Sequence, residues 1–128
     1  MPTRIFHVGI KALIVRDGRV LSLIDGALRD LPGGRIDDAE MSRDALLREL
    51  SEELPGIRNV RIGALVGGER VVDLRSDLSL FLMVYHVEAD LPEPLVLSSE
   101  HSRAEWLPLD VAQRTYAKLG IDWKRLAL

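Results

Sequence analysis

The sequence predicts an α/β sandwich, a central mixed β-sheet held between two helices, and three observations predict it. Residues 4–16, RIFHVGIKALIVR, are dense in β-branched and apolar side chains, the composition of a buried strand. Leucines at 46, 50 and 54 recur every fourth residue, with Leu47 beside them, which is the period of an amphipathic helix over 42–54. A second helical stretch, 110–119, opens at Leu109-Asp110 and is stopped by Gly120. Strands gathered around two helices bury their apolar faces by stacking in layers.

In chain order, Asp17-Gly18 is a hairpin signal that leads from the first strand into a second over 19–24. Asp25-Gly26 closes that strand, and 28–31 form a short piece running into Pro32-Gly33-Gly34. Proline fixes one backbone angle there, while the glycines open conformations closed to other residues, so the turn can bring backbone close to a ligand. Pro55-Gly56 ends the first helix. Residues 59–73 read as a strand bent or interrupted at Gly67-Gly68. A polar turn at 75–77 precedes a strongly apolar strand over 78–87. The segment 89–94 is a proline-stiffened loop, 98–102 a polar loop, and 104–107 a short strand.

A chain of 128 residues is long enough to bury one core, so residues 1–128 are expected to form a single domain. There is no cysteine, which removes disulfides, zinc-thiolate sites and thiol catalysis. The net charge of −3 argues against a partner that is a nucleic acid polymer, because such binding needs a basic face. It leaves open a small phosphorylated ligand, since a bound cation and a few arginines can reverse the potential inside a cleft. No apolar run approaches membrane-spanning length. The first residues, broken by Arg4, His7 and Lys11, carry no signal-peptide pattern, so no membrane association and a cytoplasmic location are expected.

The chemistry is concentrated in Arg48-Glu49-Leu50-Ser51-Glu52-Glu53. At about 100° per residue, Glu49, Glu52 and Glu53 share roughly one third of the helix circumference. Their side chains are expected to converge there while the leucines turn to the sheet. Like charges so placed repel. Either solvent and Arg48 dissipate the repulsion, or a hard divalent metal such as Mg²⁺ or Mn²⁺ takes these oxygens as ligands.

Gly34, then Glu40 after five residues, then Arg48-Glu49-Leu50-x-Glu52-Glu53 after seven more, resembles the Nudix box, the signature of the Nudix hydrolases. The pattern continues in that family with one variable residue, a glycine and an aliphatic residue. Here Leu54-Pro55-Gly56-Ile57 delivers the last two one residue late, a departure at the helix exit and away from the ligand positions. The resemblance implies a Nudix-type α/β/α sandwich and hydrolysis of a nucleoside diphosphate linked to another group, by attack of water on phosphorus. It also implies a divalent cation, Mg²⁺ or Mn²⁺, and allows a homodimer.

By position in the box, Glu49 and Glu53 resemble the principal metal ligands, with Glu52 a further direct or water-mediated one. The carbonyl of Gly33 or Gly34 resembles the family's backbone ligand. Arg48 resembles the residue that fixes a box glutamate, and Glu40 either orients the loop or helps to ligate. The general base is either a box glutamate, Glu52 or Glu53, or one from a later loop, where Glu100 stands. His101, beside it, reads as an exposed loop residue. Arg70 and Arg75 are candidate phosphate contacts, since guanidinium pairs well with phosphate oxygens. Arg4, with His7, lies on the first strand, which in the fold the resemblance implies can contribute to the base pocket. Tyr116 and Trp123 either stack on a nucleobase or pack the last helix.

The substrate is expected to be a nucleoside triphosphate cleaved to monophosphate and pyrophosphate, as in MutT-type members. Members acting on ADP-ribose commonly carry a proline about sixteen residues beyond the box, where this chain has Val71-Val72-Asp73-Leu74. The tyrosine expected near there in dinucleoside polyphosphate hydrolases is also missing. Other readings are ADP-ribose, a dinucleoside polyphosphate or a nucleotide sugar as substrate, or a module that senses a nucleotide without cleaving it.

Overall fold

The structure, a computed structural model, describes residues 2–72, 79–99, 101 and 103–126. Seven strands form: β1 (His7–Arg16), β2 (Arg19–Asp25), β3 (Leu28–Asp30), β4 (Gly33–Arg35), β5 (Arg58–Val72), β6 (Ser79–Asp90) and β7 (Arg103–Pro108). Two α-helices accompany them, α1 (Ser42–Glu53) and α2 (Leu109–Thr115), with short 3₁₀ helices at Ala117–Leu119 and Trp123–Leu126. The sheet runs β3-β2-β1-β6-β5, with β4 on β1 and β7 on β2. It is mixed, as expected, because β1 pairs parallel with β6 from His7↔Leu80 to Ile14↔Val87 and antiparallel with β2 and β4.

Strand β1 organises both layers. Its side chains alternate between faces, so Ile10, Ala12 and Ile14 join Leu46, Leu50 and Leu54 of the α1 segment in one core. Leu13 faces the other way, into a second core with Val84, Ala112 and Tyr116 beneath α2. Burying each such large side chain contributes about 1.5–3 kcal/mol, so the strand that feeds both cores is the hardest one to lose. The hairpin at Asp17-Gly18 forms with φ positive at both residues, 51° and 71°, the twist that suits two antiparallel strands.

Four local expectations change. The first strand begins at His7, not Arg4. Leu47 lies outside the leucine stripe, 39% exposed, because it stands about 100° around the helix from Leu46. Of the two alternatives at Gly67-Gly68 the interruption does not occur: strand β5 runs through, and the bend is a register shift against β6 between Leu65 and Gly67. A Cβ on Gly67 would press on the backbone of Gly120 and Ile121, so glycine serves a close crossing, and Gly67 bridges Ile121. The last α-helix stops at Thr115, and its expected final turn is the 3₁₀ segment before Gly120, whose φ is 65°. The expected turn at 75–77, with Arg75, lies outside the described residues. Among the described residues no helix is long and apolar enough to cross a membrane.

Candidate active site

The double-glycine turn and the end of α1 meet through Glu53. Its Oε1 accepts the Gly33 N–H at 2.6 Å, and the side chain is buried. Gly33 can sit there only without a side chain: its φ is 145°, and a Cβ would overlap the Ile10 carbonyl. Gly34 next to it faces Glu49 so closely that a Cβ would fall on the carboxylate. Two box glutamates are thus brought against the same three-residue strand, β4, whose place is fixed by its ladder to β1.

Arg48 ties the other end together. Its Nε and Nη2 donate to both oxygens of Glu40, at 2.8 and 2.9 Å, a bidentate pair. Nη1 donates to Glu49 Oε1 at 3.0 Å, and Nη2 to the Arg35 carbonyl at 3.1 Å. The arginine therefore positions Glu49 and anchors β4 at once. Glu40 is a loop organiser, since it also accepts the Asp37 N–H at 2.9 Å. Its hydrogen bonds to Arg48 pull its pKa from 4.5 to about 2. Glu53 goes the other way: burial pushes it from 4.5 up to about 7, against the lowering effect of the Gly33 hydrogen bond and the Lys11 charge.

The expected convergence of three glutamates on one point does not occur. Among the described residues no three acidic or histidine side chains are gathered as a ready cage. Sharing a helix face fixes where side chains start, not where the carboxylates end. Glu53 turns under Gly33, Glu49 is drawn to Arg48 and Gly34, and Glu52 stays at the rim, its side chain 60% exposed and 3.4 Å from Arg48. The donor set still suits a hard cation: carboxylate oxygens beside a backbone turn, with one carboxylate held in a setting that disfavours its negative charge.

Other expected residues stand elsewhere. Arg4 donates to Ser79 Oγ at 2.9 Å, and Arg70 lies over the Phe6 ring. Trp123 packs against the second core. Tyr116 is buried in that core with its hydroxyl bonded to Ser22, the packing alternative for this residue. None of the four lines the cleft beside Gly34. Glu100 lies outside the described residues. His101 is not exposed: its side chain is 14% accessible and its Nε2 is 3.5 Å from Glu53 Oε2. The Ser98 N–H donates to the Glu53 carbonyl at 3.1 Å and draws that polar loop onto the helix end, which local composition cannot reveal.

A cleft of about 200 Å³ opens beside Gly34, lined by Gly9, Lys11, Asp30, Arg35, Leu80 and Leu82. Sequence reasoning missed Lys11, although the signal was present as one cation inside the apolar run 8–15.

The NUDIX domain pattern matches residues 6–125. No curated protein sequence matches the chain. Among solved structures, the MutT NUDIX hydrolase from Burkholderia pseudomallei is 25% identical with a TM-score of 0.73, over 90% of this chain and 98% of that one. The E. coli ORF135 protein is 27% identical with a TM-score of 0.67, over 85% and 78%. An ADP-ribose pyrophosphatase from Streptococcus suis shares the fold at 18% identity and a TM-score of 0.58, over 81% and 75%.

Proposed function

The chain belongs to the Nudix family and is a Nudix hydrolase, and from that premise we propose that it cleaves a nucleoside triphosphate to the monophosphate and pyrophosphate, with Mg²⁺ or Mn²⁺ as cofactor. The observation that carries the reading is the placement of Glu49 and Glu53 against the Gly33-Gly34 turn, at the edge of a cleft with Lys11 and Arg35 in its wall. A phosphate-processing site lined by acids alone would repel its substrate, so the arrangement makes sense with a cation between them.

Glu49 and Glu53 would hold the metal, with Glu52 and the Gly33 carbonyl completing its oxygen ligands. The chemistry such a cation would supply is neutralisation of phosphate oxygens and a lowered pKa for the attacking water. Arg48 keeps Glu49 in place through the 3.0 Å hydrogen bond and keeps its own fork filled by Glu40. Glu53, or Glu52, or Glu100 of the later loop, takes the proton of the attacking water. Arg35, in the cleft wall, clamps phosphate in place of Arg70, which lies over the Phe6 ring.

The test is product release across a panel of canonical and oxidised triphosphates, ADP-ribose, dinucleoside polyphosphates and nucleotide sugars, with each metal. Metal-dependent release of pyrophosphate from a triphosphate is the expected result. Turnover of another class reassigns the substrate, and tight binding without turnover of any class makes the chain a sensor.

A further inference from the structure

Lys11 is the one cation inside the apolar run 8–15 of β1, and only 9% of its surface is exposed. Burying an ammonium is costly unless it is paired. The pairing found is a single one: Nζ donates to Asp30 Oδ2 at 2.8 Å. An ammonium has three N–H donors, and among the described residues Asp30 is its one hydrogen-bond partner. Asp30 is held in turn by the backbone, since its Oδ1 accepts the Leu31 N–H at 2.8 Å. Its carboxylate is thus clamped from two sides by the chain.

The pair lines the cleft together with Gly34 and Arg35, one residue from the Gly33 N–H that holds Glu53. An apolar side chain in this place would satisfy the strand as well or better, because a single ion pair with a half-exposed partner, Asp30, does little to offset the burial of an ammonium. We propose that Lys11 determines specificity for the phosphate chain: Asp30 fixes its ammonium at the cleft, and its remaining donors take non-bridging phosphate oxygens of the substrate. Leu80 and Leu82 line the same cleft and offer an apolar wall to the rest of the ligand. Gly9 sits beneath that wall, where a Cβ would overlap the Leu82 side chain.

This inference rests on the proposed function's reading of the cleft as the nucleotide site. Its test is separable, because it uses inorganic pyrophosphate and needs no turnover. Calorimetry on the Mg²⁺-saturated protein compares wild type, Lys11→Met and Lys11→Arg, and steady-state kinetics follows for the best triphosphate. Lys11→Met is expected to weaken pyrophosphate binding and raise KM by ~10-fold or more, the loss of charge-assisted hydrogen bonds, with kcat within ~3-fold. Lys11→Arg restores binding to within ~5-fold, since it keeps the charge. Should Lys11→Met fail to fold, Lys11→Gln keeps an N–H for Asp30, loses the charge, and carries the same expectation. Unchanged pyrophosphate affinity in either neutral variant, or a wild type that binds none, overturns the inference. A wild type that binds pyrophosphate through Lys11 but cleaves no triphosphate overturns the proposed substrate and leaves the inference standing.

Discussion

Glu40, just before α1, and Glu53, its last residue, are the same side chain in opposite surroundings. Glu40 gives both oxygens to Arg48 and another bond to the Asp37 N–H, and its acidity rises accordingly. Glu53 has the Gly33 N–H and a histidine nitrogen at 3.5 Å, is buried, and holds its proton up to about pH 7. One carboxylate is saturated by the protein, and the other is left short of positive charge. A glutamate that only builds structure is treated as Glu40 is. One kept for a cation is treated as Glu53 is, because the shortfall is what a metal relieves.

The contrast breaks most visibly at Glu53→Gln. This variant keeps size and loses the charge that metal binding needs, so kcat is expected to fall by at least ~10²-fold. Near-normal turnover in a folded variant would remove Glu53 from the site. Arg48→Lys follows, because an ammonium cannot reproduce the fork that holds Glu40, Glu49 and the Arg35 carbonyl together. Its expected cost is ~10–100-fold in Mn²⁺ affinity, the usual scale for residues that orient metal ligands, read by Mn²⁺ titration. Gly34→Ala sharpens the comparison from the ligand side. The new Cβ meets the end of a flexible side chain and not backbone, so the melting temperature should barely move. Glu49 must swing away, however, and Mn²⁺ affinity should fall by ~10-fold.

Stability responds as well, and its sign differs between the two glutamates. The folded state holds the Glu53 proton more tightly than the unfolded chain does. The metal-free protein therefore keeps this contribution below pH 4.5 and loses it as pH rises to about 7, by on the order of 2–3 kcal/mol. Glu40 acts inversely: its contribution is present above pH 4.5 and is lost as pH falls towards 2. Melting curves of chelator-treated protein from acid to neutral pH should show both limbs. Glu53→Gln should flatten only the upper one, and saturating Mg²⁺ should raise the melting temperature most at neutral pH, where the anion is available. A flat upper limb in the wild type would mean that Glu53 is not held as described.

These differences also mark what a sequence can and cannot convey. The leucine spacing at 46, 50 and 54 located α1 and its buried face, and Asp17-Gly18 located the hairpin, because both are local rules. The pairing of Arg48 with a box glutamate followed from the family resemblance, but its main partner is Glu40, eight residues away across a loop. Periodicity gives the face of a residue and not its depth, so the burial of Glu53 beneath Gly33 was not legible, nor was the separation of its carboxylate from that of Glu52. His101 depended on a backbone bond from Ser98 to the end of α1. Lys11 was readable as an oddity, yet the Asp30 that gives it meaning arrives on another strand.

The parallel register of β1 against β6 joins the start of the chain to its second half. Contacts that distant close late in folding, because the intervening loop must lose its freedom before they reward it. Strand β4, with the glycines that meet Glu49 and Glu53, is laddered to β1. The site is therefore complete only when α1 and the β4 turn have both docked on β1, whose own seat in the sheet includes the distant β6. The capacity to grip a cation firmly and the completion of the native fold should then arise in the same kinetic step, and metal added to a refolding sample would act on the unfolding rate more than on the folding rate.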